Sequence, residues 1–228
     1  MLGLAIFTTG LIAIAILVTY PKLPPLDSLQ HYQPKMPLTI YSADGQIIGV
    51  YGEQRREFTK INDFPDILKN AVIAAEDKRF YEHWGVNVWG IARAAISNIV
   101  AGGVQSGAST ITQQVAKNFY LSSERTFTRK FNEALLAYKI EQSLSKDKIL
   151  ELYFNQIYLG QRAYGFTSAA QIYFNKNVKD LTLAEAAMLA GLPKAPSAYN
   201  PIVNPERAKL RQTYILNNML EEGMITSQ

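Results

Sequence analysis

One acidic side chain stands in the middle of an apolar helical pattern. In the stretch AVIAAEDKRFYEHWG, Val72, Glu76 and Phe80 are spaced i, i+4 and i+8, so one helix would place them along one stripe. His83 would lie one turn further along if that helix persists. Apolar neighbours partly desolvate a carboxylate, which raises its pKa and suits it to act as a general base. Because most acidic residues on helices are solvated, a surface ion pair is the alternative interpretation of Glu76.

A second set of polar side chains opens another predicted helix, directly after the glycine-rich stretch AGGVQSGA at 101–108. The set is Ser109, Thr110, Thr112, Gln113 and Gln114. Free backbone donors and the positive end of the helix dipole suit such a terminus to anions. The Gly-Lys-Ser/Thr spacing of a nucleotide-binding loop is missing, so an ordinary helix cap is the alternative. Cations follow along the chain at Lys117, Arg125, Arg129 and Lys130.

A second carboxylate belongs to this basic part of the chain. Glu133 follows Lys130 by three residues and Arg129 by four, so the three side chains can meet on one helical face. A surface ion pair is again the alternative. Two carboxylates framed by cations would suit glycosyl transfer from a phosphate-linked sugar, with one acid/base group for the hydroxyl and cations for the leaving pyrophosphate.

Helical periodicity dominates the chain that positions these groups. Hydrophobic spacing and stop signals predict helices near 66–82, 87–100, 109–120, 126–144, 146–158, 163–173, 182–191 and 205–221. Before them, PLTIYSADGQIIGVYG alternates apolar and polar residues around Asp44-Gly45 and predicts a short β-hairpin. The glycine-rich stretch at 101–108 predicts a mobile loop. The sequence therefore predicts a mainly α protein.

The N-terminus predicts a membrane anchor. No charged residue occurs from Leu2 to Tyr20, and nineteen helical residues span about 28 Å, close to the thickness of a bilayer core. A signal peptide is the alternative, although no cleavage pattern closes the run. We predict a transmembrane anchor at 1–21, a linker with the hairpin at 22–62 and the catalytic domain at 63–228.

Composition excludes several other classes. The chain has 228 residues, 48% of them hydrophobic, which is enough to bury a substantial core. Its 23 lysines and arginines against 19 acidic residues give a net charge of +4, which suits an anionic partner. No nucleic-acid-binding signature occurs, so no nucleic acid is expected. The chain has no cysteine, which excludes disulfides and thiolate metal sites.

Taken together, the blocks resemble the peptidoglycan glycosyltransferases, the domain found in class A penicillin-binding proteins and in monofunctional transglycosylases. The resemblance rests on Glu76-Asp77-x-x-Phe80-x-x-His83-x-Gly85, Gly107-x-Ser109-Thr110-Ile111-Thr112-Gln113-Gln114, Arg129-Lys130-x-x-Glu133, KDKILELYFNQIYLG at 146–160 and AEAAMLAGLPKAPSAYNP at 184–201. These blocks follow the family's order and cover most of 66–201. Phe154 stands where the family more often has Leu, which leaves the chemistry unaffected.

The resemblance implies a lysozyme-like helical fold that polymerises lipid II into glycan strands by an inverting mechanism. It implies Glu76 as the general base on the acceptor hydroxyl, and Glu133 on the donor or pyrophosphate side. Residues expected to bind pyrophosphate are Lys117, Arg125 and Lys130, and those expected to line the cleft are Ser109, Thr110, Gln114 and Asn155. Asp77, Phe80 and His83 are expected to fix Glu76, and Arg129 to support Glu133.

The same resemblance bears on cofactors, partners and location. No cofactor is expected to be obligate, although Mg²⁺ or Mn²⁺ could assist at the pyrophosphate; the chain has only two histidines, His31 and His83, and shows no ligand cluster. Expected partners are lipid II, the growing lipid-linked glycan, the membrane, and possible cell-wall synthesis proteins or a second copy. Trp84 and Trp89 would dip into lipid headgroups, with core packing as the alternative. The catalytic domain is expected on the periplasmic or extracellular side of the plasma membrane.

One further motif, at 143–146, is typical of a different enzyme class. Ser143-Leu-Ser-Lys146 has the Ser-x-x-Lys spacing of penicillin-binding transpeptidases, but no Lys-Thr-Gly or Ser-x-Asn partner follows, so we expect no transpeptidase domain in these residues. We expect the chain to be the N-terminal part of a bifunctional enzyme, with a monofunctional enzyme as the alternative. The rival activity is that of a lytic transglycosylase or muramidase, which cleaves the same glycan with a helical glutamate. The cations favour synthesis, because only synthesis expels pyrophosphate.

Overall fold

The computed structural model describes residues 2–30, 32, 38–51, 55–100, 109–122, 124 and 126–226. Helices in these ranges are α1 Leu2–Thr19, α2 Asp27–Gln30, α3 Asp66–Glu76, α4 Val88–Val100, α5 Ile111–Tyr120, α6 Phe127–Ser143, α7 Lys146–Gln156, α8 Phe166–Phe174, α9 Leu183–Ala190 and α10 Pro205–Glu221. Strands are β1 Leu38–Tyr41, β2 Ile47–Tyr51, β3 Arg55–Arg56 and β4 Ala163–Tyr164. The prediction of a mainly α protein is confirmed.

The predicted β-hairpin is also confirmed. Strands β1 and β2 pair antiparallel, with Leu38 opposite Tyr51, and the register shifts between Ile40 and Tyr41. Gly45 adopts φ +80° in the connecting turn, a conformation that glycine reaches without steric cost. Strands β3 and β4 form a separate short parallel pair.

Helix α7 lies at the centre of the core. Its residues 149–155 are all buried, on every side of the helix, which is typical of a helix enclosed by others. Helix α5 packs against α6 and α7, whereas α3 packs against α9 and α10. The ends of α3 and α5 are therefore held by two groups of helices, and these ends carry the predicted functional residues.

Helix α3 ends earlier than the sequence predicts. Periodicity predicted a helix over 66–82, but the helix stops at Glu76, and Asp77 leaves helical geometry with φ −158° and ψ 76°. Turns follow through Gly85. The predicted single stripe from Val72 through Phe80 to His83 is therefore wrong. Phe80 is nevertheless fully buried, because the turn that follows Asp77 folds its ring back into the core.

The N-terminal segments consist of a helix and a stretch that packs into the core. The apolar run forms α1, but among the helices of the described ranges none is both long enough and apolar enough to cross a membrane, so the predicted span is not confirmed. Within the predicted linker, Leu23, Leu26 and Leu29 are buried in the core. Lys139 Nζ donates to the carbonyl oxygen of Pro24 at 3.0 Å, which fastens this segment to α6. The glycine-rich stretch at 101–108, where we predicted a mobile loop, lies outside the described residues.

Candidate active site

Two adjoining cavities open where α3 ends. Each has a volume of about 580 Å³, and Ala75, Glu76, Ser109 and Tyr214 line both. Because they share these residues, the two cavities form one cleft with Glu76 in its middle. We call the cavity that also contains Arg79 and Arg93 the α4 side, and the cavity that contains Gln114, Lys194 and Arg211 the α10 side.

Glu76 is the last residue of α3 and lies almost entirely out of solvent. Its side chain is 10% exposed. Gln114 Nε2 donates to its Oε2 at 2.8 Å, and a guanidinium nitrogen of Arg211 lies 3.7 Å from its Oε1. Burial raises the pKa of the Glu76 carboxyl above its usual value, while the Gln114 hydrogen bond and the charges of Arg211 and Lys194 oppose this rise. Glu76 is therefore a desolvated carboxylate that can hold and release a proton.

Asp77 joins three segments directly beside Glu76. Its two carboxylate oxygens lie 3.0 and 2.9 Å from Nε2 of His83, and the backbone N–H of Ile111 donates to Oδ2 at 3.1 Å. Asp77 thus connects the end of α3 with the turns after it and with the first residue of α5. Phe80 packs its ring edge-on to His83 from the core side. The three side chains predicted to fix Glu76 do meet around the end of α3.

The start of α5 is held by Thr110 and Gln113. The Thr110 hydroxyl accepts from Gln113 N at 3.1 Å and donates to the carbonyl oxygen of Gly85 at 2.6 Å, and the Gln113 side chain caps the Thr110 backbone in return. This reciprocal capping box satisfies two free helix donors. Thr110 is buried and its hydroxyl is used within the protein, although it lines the α4 side of the cleft. Ser109, by contrast, lines both sides.

Glu133 is buried in an ion-pair cluster rather than exposed in the cleft. Its side chain is 3% exposed and pairs with Arg129 through one oxygen and with Lys130 through the other. Lys130 Nζ also donates to the Ser109 hydroxyl at 2.7 Å. The predicted meeting of Arg129, Lys130 and Glu133 on one face of α6 is therefore observed. The cluster reaches the cleft through Lys130 and Ser109.

Two of the predicted binding residues, Lys117 and Asn155, lie away from both cavities, and a third is not described. Lys117 is exposed in the last turn of α5 and lines neither cavity. Asn155 is buried in α7, where its amide donates to the carbonyls of Thr59 and Glu151 and accepts from Thr59 N, each at 2.8 Å. Its side chain thus fastens the chain before α3 to the central helix. Arg125 lies outside the described residues.

Sequence reasoning missed the basic and aromatic groups on the α10 side. Lys194, Tyr199, Arg207, Arg211 and Tyr214 line that cavity together with Glu76. Arg211 is 9% exposed and its guanidinium lies 4.9 Å from the centre of the Tyr214 ring. The sequence signal that could have identified these groups is the spacing of Arg207, Arg211, Tyr214 and Asn218, which places polar side chains along one face of the helix predicted at 205–221. On the α4 side, the cations Lys78, Arg79 and Arg93 are balanced by the acids Asp77, Glu221 and Glu222, and Lys78 pairs with both of these glutamates.

The Ser143 and Lys146 pair does not form a nucleophile and base. Ser143 donates to the carbonyl oxygen of Lys139 at 3.2 Å. Lys146 Nζ instead donates to the carbonyl oxygen of His83 at 2.6 Å and pairs with Glu141 at 2.7 Å. Lys146 thus ties the start of α7 to α6 and to the turn after α3, whereas the Ser143 bond stays within α6. Among the described residues, no group of three or more His, Cys, Asp or Glu side chains is arranged to hold a metal ion.

A buried carboxylate beside a positively charged wall on the α10 side defines, as a class, an acid–base site for an anionic substrate. Comparison with known proteins then identifies the family. The family model described as Transglycosylase matches residues 44–220, so the chain belongs to the transglycosylase family. This confirms the family that the motif blocks predicted.

Relatives of known name agree with that family. The chain is 89% identical to penicillin-binding protein 1A of Neisseria flavescens over 99% of its own length, and 51% identical to that of Pseudomonas aeruginosa over 94%. It spans 28% and 26% of the length of these two relatives. A crystal structure of penicillin-binding protein 1A from Haemophilus influenzae shares 31% identity over 86% of this chain and 19% of that one, with a TM-score of 0.47.

Proposed function

We propose that this chain polymerises lipid II into β-1,4-linked glycan strands, with inversion at the reacting carbon and release of undecaprenyl pyrophosphate. The observation that carries the proposal is the position of Glu76, a desolvated carboxylate beside the basic wall of the α10 side. Membership of the transglycosylase family gives the reaction class. We propose further that the chain acts as the glycosyltransferase part of a class A penicillin-binding protein.

Glu76 acts as the general base in this proposal. It takes the proton from the 4-hydroxyl of the acceptor sugar while that oxygen bonds to the donor's anomeric carbon. The bond from that carbon to the pyrophosphate oxygen breaks, and its electron pair leaves with the pyrophosphate. The direction of the pKa change supports this role, because a base whose pKa lies closer to the working pH transfers protons more effectively.

Cations on the α10 side are placed to receive the departing pyrophosphate. Lys194, Arg207 and Arg211 line the same cavity as Glu76, and Ser109 on its edge is bound by Lys130. Preorganised positive charge stabilises a leaving group as its negative charge develops. We therefore propose that these three residues bind the pyrophosphate, and that Lys130 is the member of the predicted set that supports them through Ser109.

Glu133 has a supporting rather than a proton-transferring role in this proposal. Both of its oxygens are paired with cations and the side chain is buried, so it does not reach a substrate in the cleft. Its negative charge holds Lys130 at the position from which Lys130 binds Ser109. Arg129 neutralises part of the charge of the buried Glu133 carboxylate.

The substrate's lipid tail requires an apolar surface beside the cleft, and α4 offers one. Trp89, Ile96 and Ile99 on that helix are each more than 60% exposed, as is Trp84 just before it. Aromatic rings with apolar neighbours favour the boundary between lipid headgroups and tails. We propose that α4 docks on the outer surface of the plasma membrane, with the cleft facing the periplasmic or extracellular side. Cell-wall synthesis proteins and a second copy of the chain remain proposed partners.

No metal-dependent step is part of this mechanism. We propose that no cofactor is obligate, and that Mg²⁺ or Mn²⁺, where it assists, binds the pyrophosphate oxygens rather than a protein ligand cluster.

The rival activity, glycan cleavage by a lytic transglycosylase or muramidase, uses a similar glutamate. Cleavage breaks a neutral glycosidic bond and has no need for the basic α10 side of the cleft beside Glu76. The two activities are separated by incubating the protein with labelled lipid II and, in parallel, with purified sacculi. Polymer from lipid II supports synthesis, whereas soluble muropeptides from sacculi without polymer would refute it.

Substitution of Glu76 by Gln tests the base assignment. We expect polymerisation to fall by about 100-fold or more, the usual scale for loss of a general base. The matched control is Asp66→Asn, which neutralises an acid 87% exposed on the same helix and should polymerise like the wild type. Wild-type rates in Glu76→Gln would show that another group accepts the proton.

A further inference from the structure

A fully buried tyrosine lies behind the residue that hydrogen-bonds to the proposed base. The Tyr153 hydroxyl donates to Oε1 of Gln114 at 3.4 Å, and Nε2 of the same amide donates to Glu76 at 2.8 Å. We propose that Tyr153 is a positioning residue, whose hydroxyl holds the Gln114 amide with its nitrogen, rather than its oxygen, towards Glu76. The inference rests on the proposed function, in which Glu76 is the base.

The phenol proton needs an acceptor, and Gln114 supplies it. Tyr153 is 0% exposed, so water cannot replace a missing partner. Among the described residues, Gln114 Oε1 is the only acceptor within hydrogen-bonding distance of this hydroxyl. Burial, together with the charges of Glu76 and Asp77, raises the pKa of Tyr153 well above its usual value. The phenol therefore stays protonated and remains a donor throughout the working range of the enzyme.

A glutamine amide can bind in two orientations, and its neighbours select one. If the Gln114 amide turned over, its oxygen would face the Glu76 carboxylate and the Tyr153 proton would lose its acceptor. Both changes are unfavourable, so Tyr153 and Glu76 enforce the same orientation from opposite ends of the amide. A phenylalanine at 153 would fill the same space but would remove one of these two constraints.

The orientation matters because few groups determine the ionisation of Glu76. Asp77 lies beside it, Arg211 on α10 and Lys194 after α9 face it, and Gln114 on α5 donates to it. The Gln114 hydrogen bond is the largest effect that opposes burial. Loss of this hydrogen bond would therefore raise the pKa of Glu76 further. Loosening of the amide in Tyr153→Phe should give a smaller shift in the same direction.

The titration of Glu76 can be followed without any substrate. Carboxyl carbon NMR of ¹³C-glutamate-labelled protein, with the Glu76 signal assigned through Glu76→Gln, gives its midpoint in each variant. We expect Tyr153→Phe to raise the Glu76 midpoint and Gln114→Met to raise it further. The matched control is Tyr173→Phe, which removes a half-buried hydroxyl bonded to the Leu159 carbonyl and should leave the midpoint unchanged.

The double variant Gln114→Met/Tyr153→Phe shows whether Tyr153 acts through Gln114. We expect its Glu76 midpoint to equal that of Gln114→Met alone. In lipid II polymerisation, the acid limb of kcat for Tyr153→Phe should move to higher pH while the rate at high pH is retained. A merely structural loss would lower the whole profile instead.

The outcomes separate this inference from the proposed function. An unchanged Glu76 midpoint in Tyr153→Phe would overturn the positioning role, even if the wild type polymerises lipid II. An equal effect of Tyr153→Phe with and without Gln114 would overturn it as well, because Tyr153 would then act directly. Full polymerisation by Glu76→Gln would instead remove the base assignment and leave the measured Tyr153–Gln114 coupling intact.

Discussion

Substitution of Asp77 by alanine should strongly destabilise the protein, although this residue lies at the edge of the cleft. The Asp77 side chain is almost fully buried and accepts hydrogen bonds from His83 and from the backbone of Ile111. Alanine removes both acceptor oxygens at once. The Ile111 N–H and the His83 ring would then be left buried without this partner.

The size of the loss follows from the contacts. A hydrogen bond to a charged group contributes about 1.5–3 kcal/mol, and a buried donor left without a partner costs about 1–3 kcal/mol. With two donors involved, we expect the free energy of unfolding to fall by about 4 kcal/mol. For a chain of this size that corresponds to a drop in Tm of roughly 10 °C.

Thermal unfolding followed by circular dichroism measures this loss, and hydrogen exchange at the Ile111 amide reports the local contact. The amide should exchange much faster in Asp77→Ala than in the wild type. The control is Asp66→Ala, which removes an exposed acid paired with Lys69 on the same helix and should shift Tm by only about 1 °C. If Asp77→Ala and Asp66→Ala had the same Tm, the junction between α3 and α5 would not depend on the Asp77 carboxylate.

Two further predictions concern Glu76 and Gly85. Burial raises the pKa of the Glu76 carboxyl above the 4.5 of a free glutamate, so its basic form becomes predominant only at a higher pH. The polymerisation rate should therefore rise with pH on a limb above 4.5. A flat profile in that range would contradict a desolvated base. Gly85→Ala should destabilise the protein by about 2–5 kcal/mol in thermal unfolding, because φ is +84° and the new Cβ would lie 2.7 Å from the Ala137 carbonyl oxygen. Gly45→Ala, with φ +80° and nothing within 4 Å, isolates the backbone effect and should be milder.

Local sequence signals predicted most of the helices well. Thr110, Thr126, Ser145 and Thr182 each accept from a backbone N–H of the helix that follows, and each precedes a helix that was predicted within two residues of its observed start. Such caps are local, since the side chain and its partner are three residues apart. The end of α3 was misplaced because Asp77 finds its partners at 83 and 111, distances that helical periodicity does not encode.

The candidate site likewise has a part that sequence motifs predicted and a part that depends on contacts between distant segments. Glu76, Ser109 and Gln114 were predicted from motif blocks, and the structure places all three in one cleft. Arg211 was missed because its approach to Glu76 spans 135 residues and depends on how α10 packs against α3. The Glu133 cluster was predicted as a contact, but its burial was not, because an i,i+4 ion pair has the same sequence pattern on a surface and in a core.

The packing of α10 explains how Glu76 can be both buried and ionisable. Glu76 ends α3, where the free carbonyls carry partial negative charge and disfavour a carboxylate. From α10, Asn218 donates to the Ala74 carbonyl at 3.1 Å and Arg211 to the Ala75 carbonyl at 3.4 Å. These donors satisfy the helix end while Arg211 also faces the carboxylate itself. Burial alone would hold the proton on Glu76, and an exposed site would lower its basicity. Helix α10, to which sequence analysis assigned no function, therefore supplies the balance that the proposed general base requires.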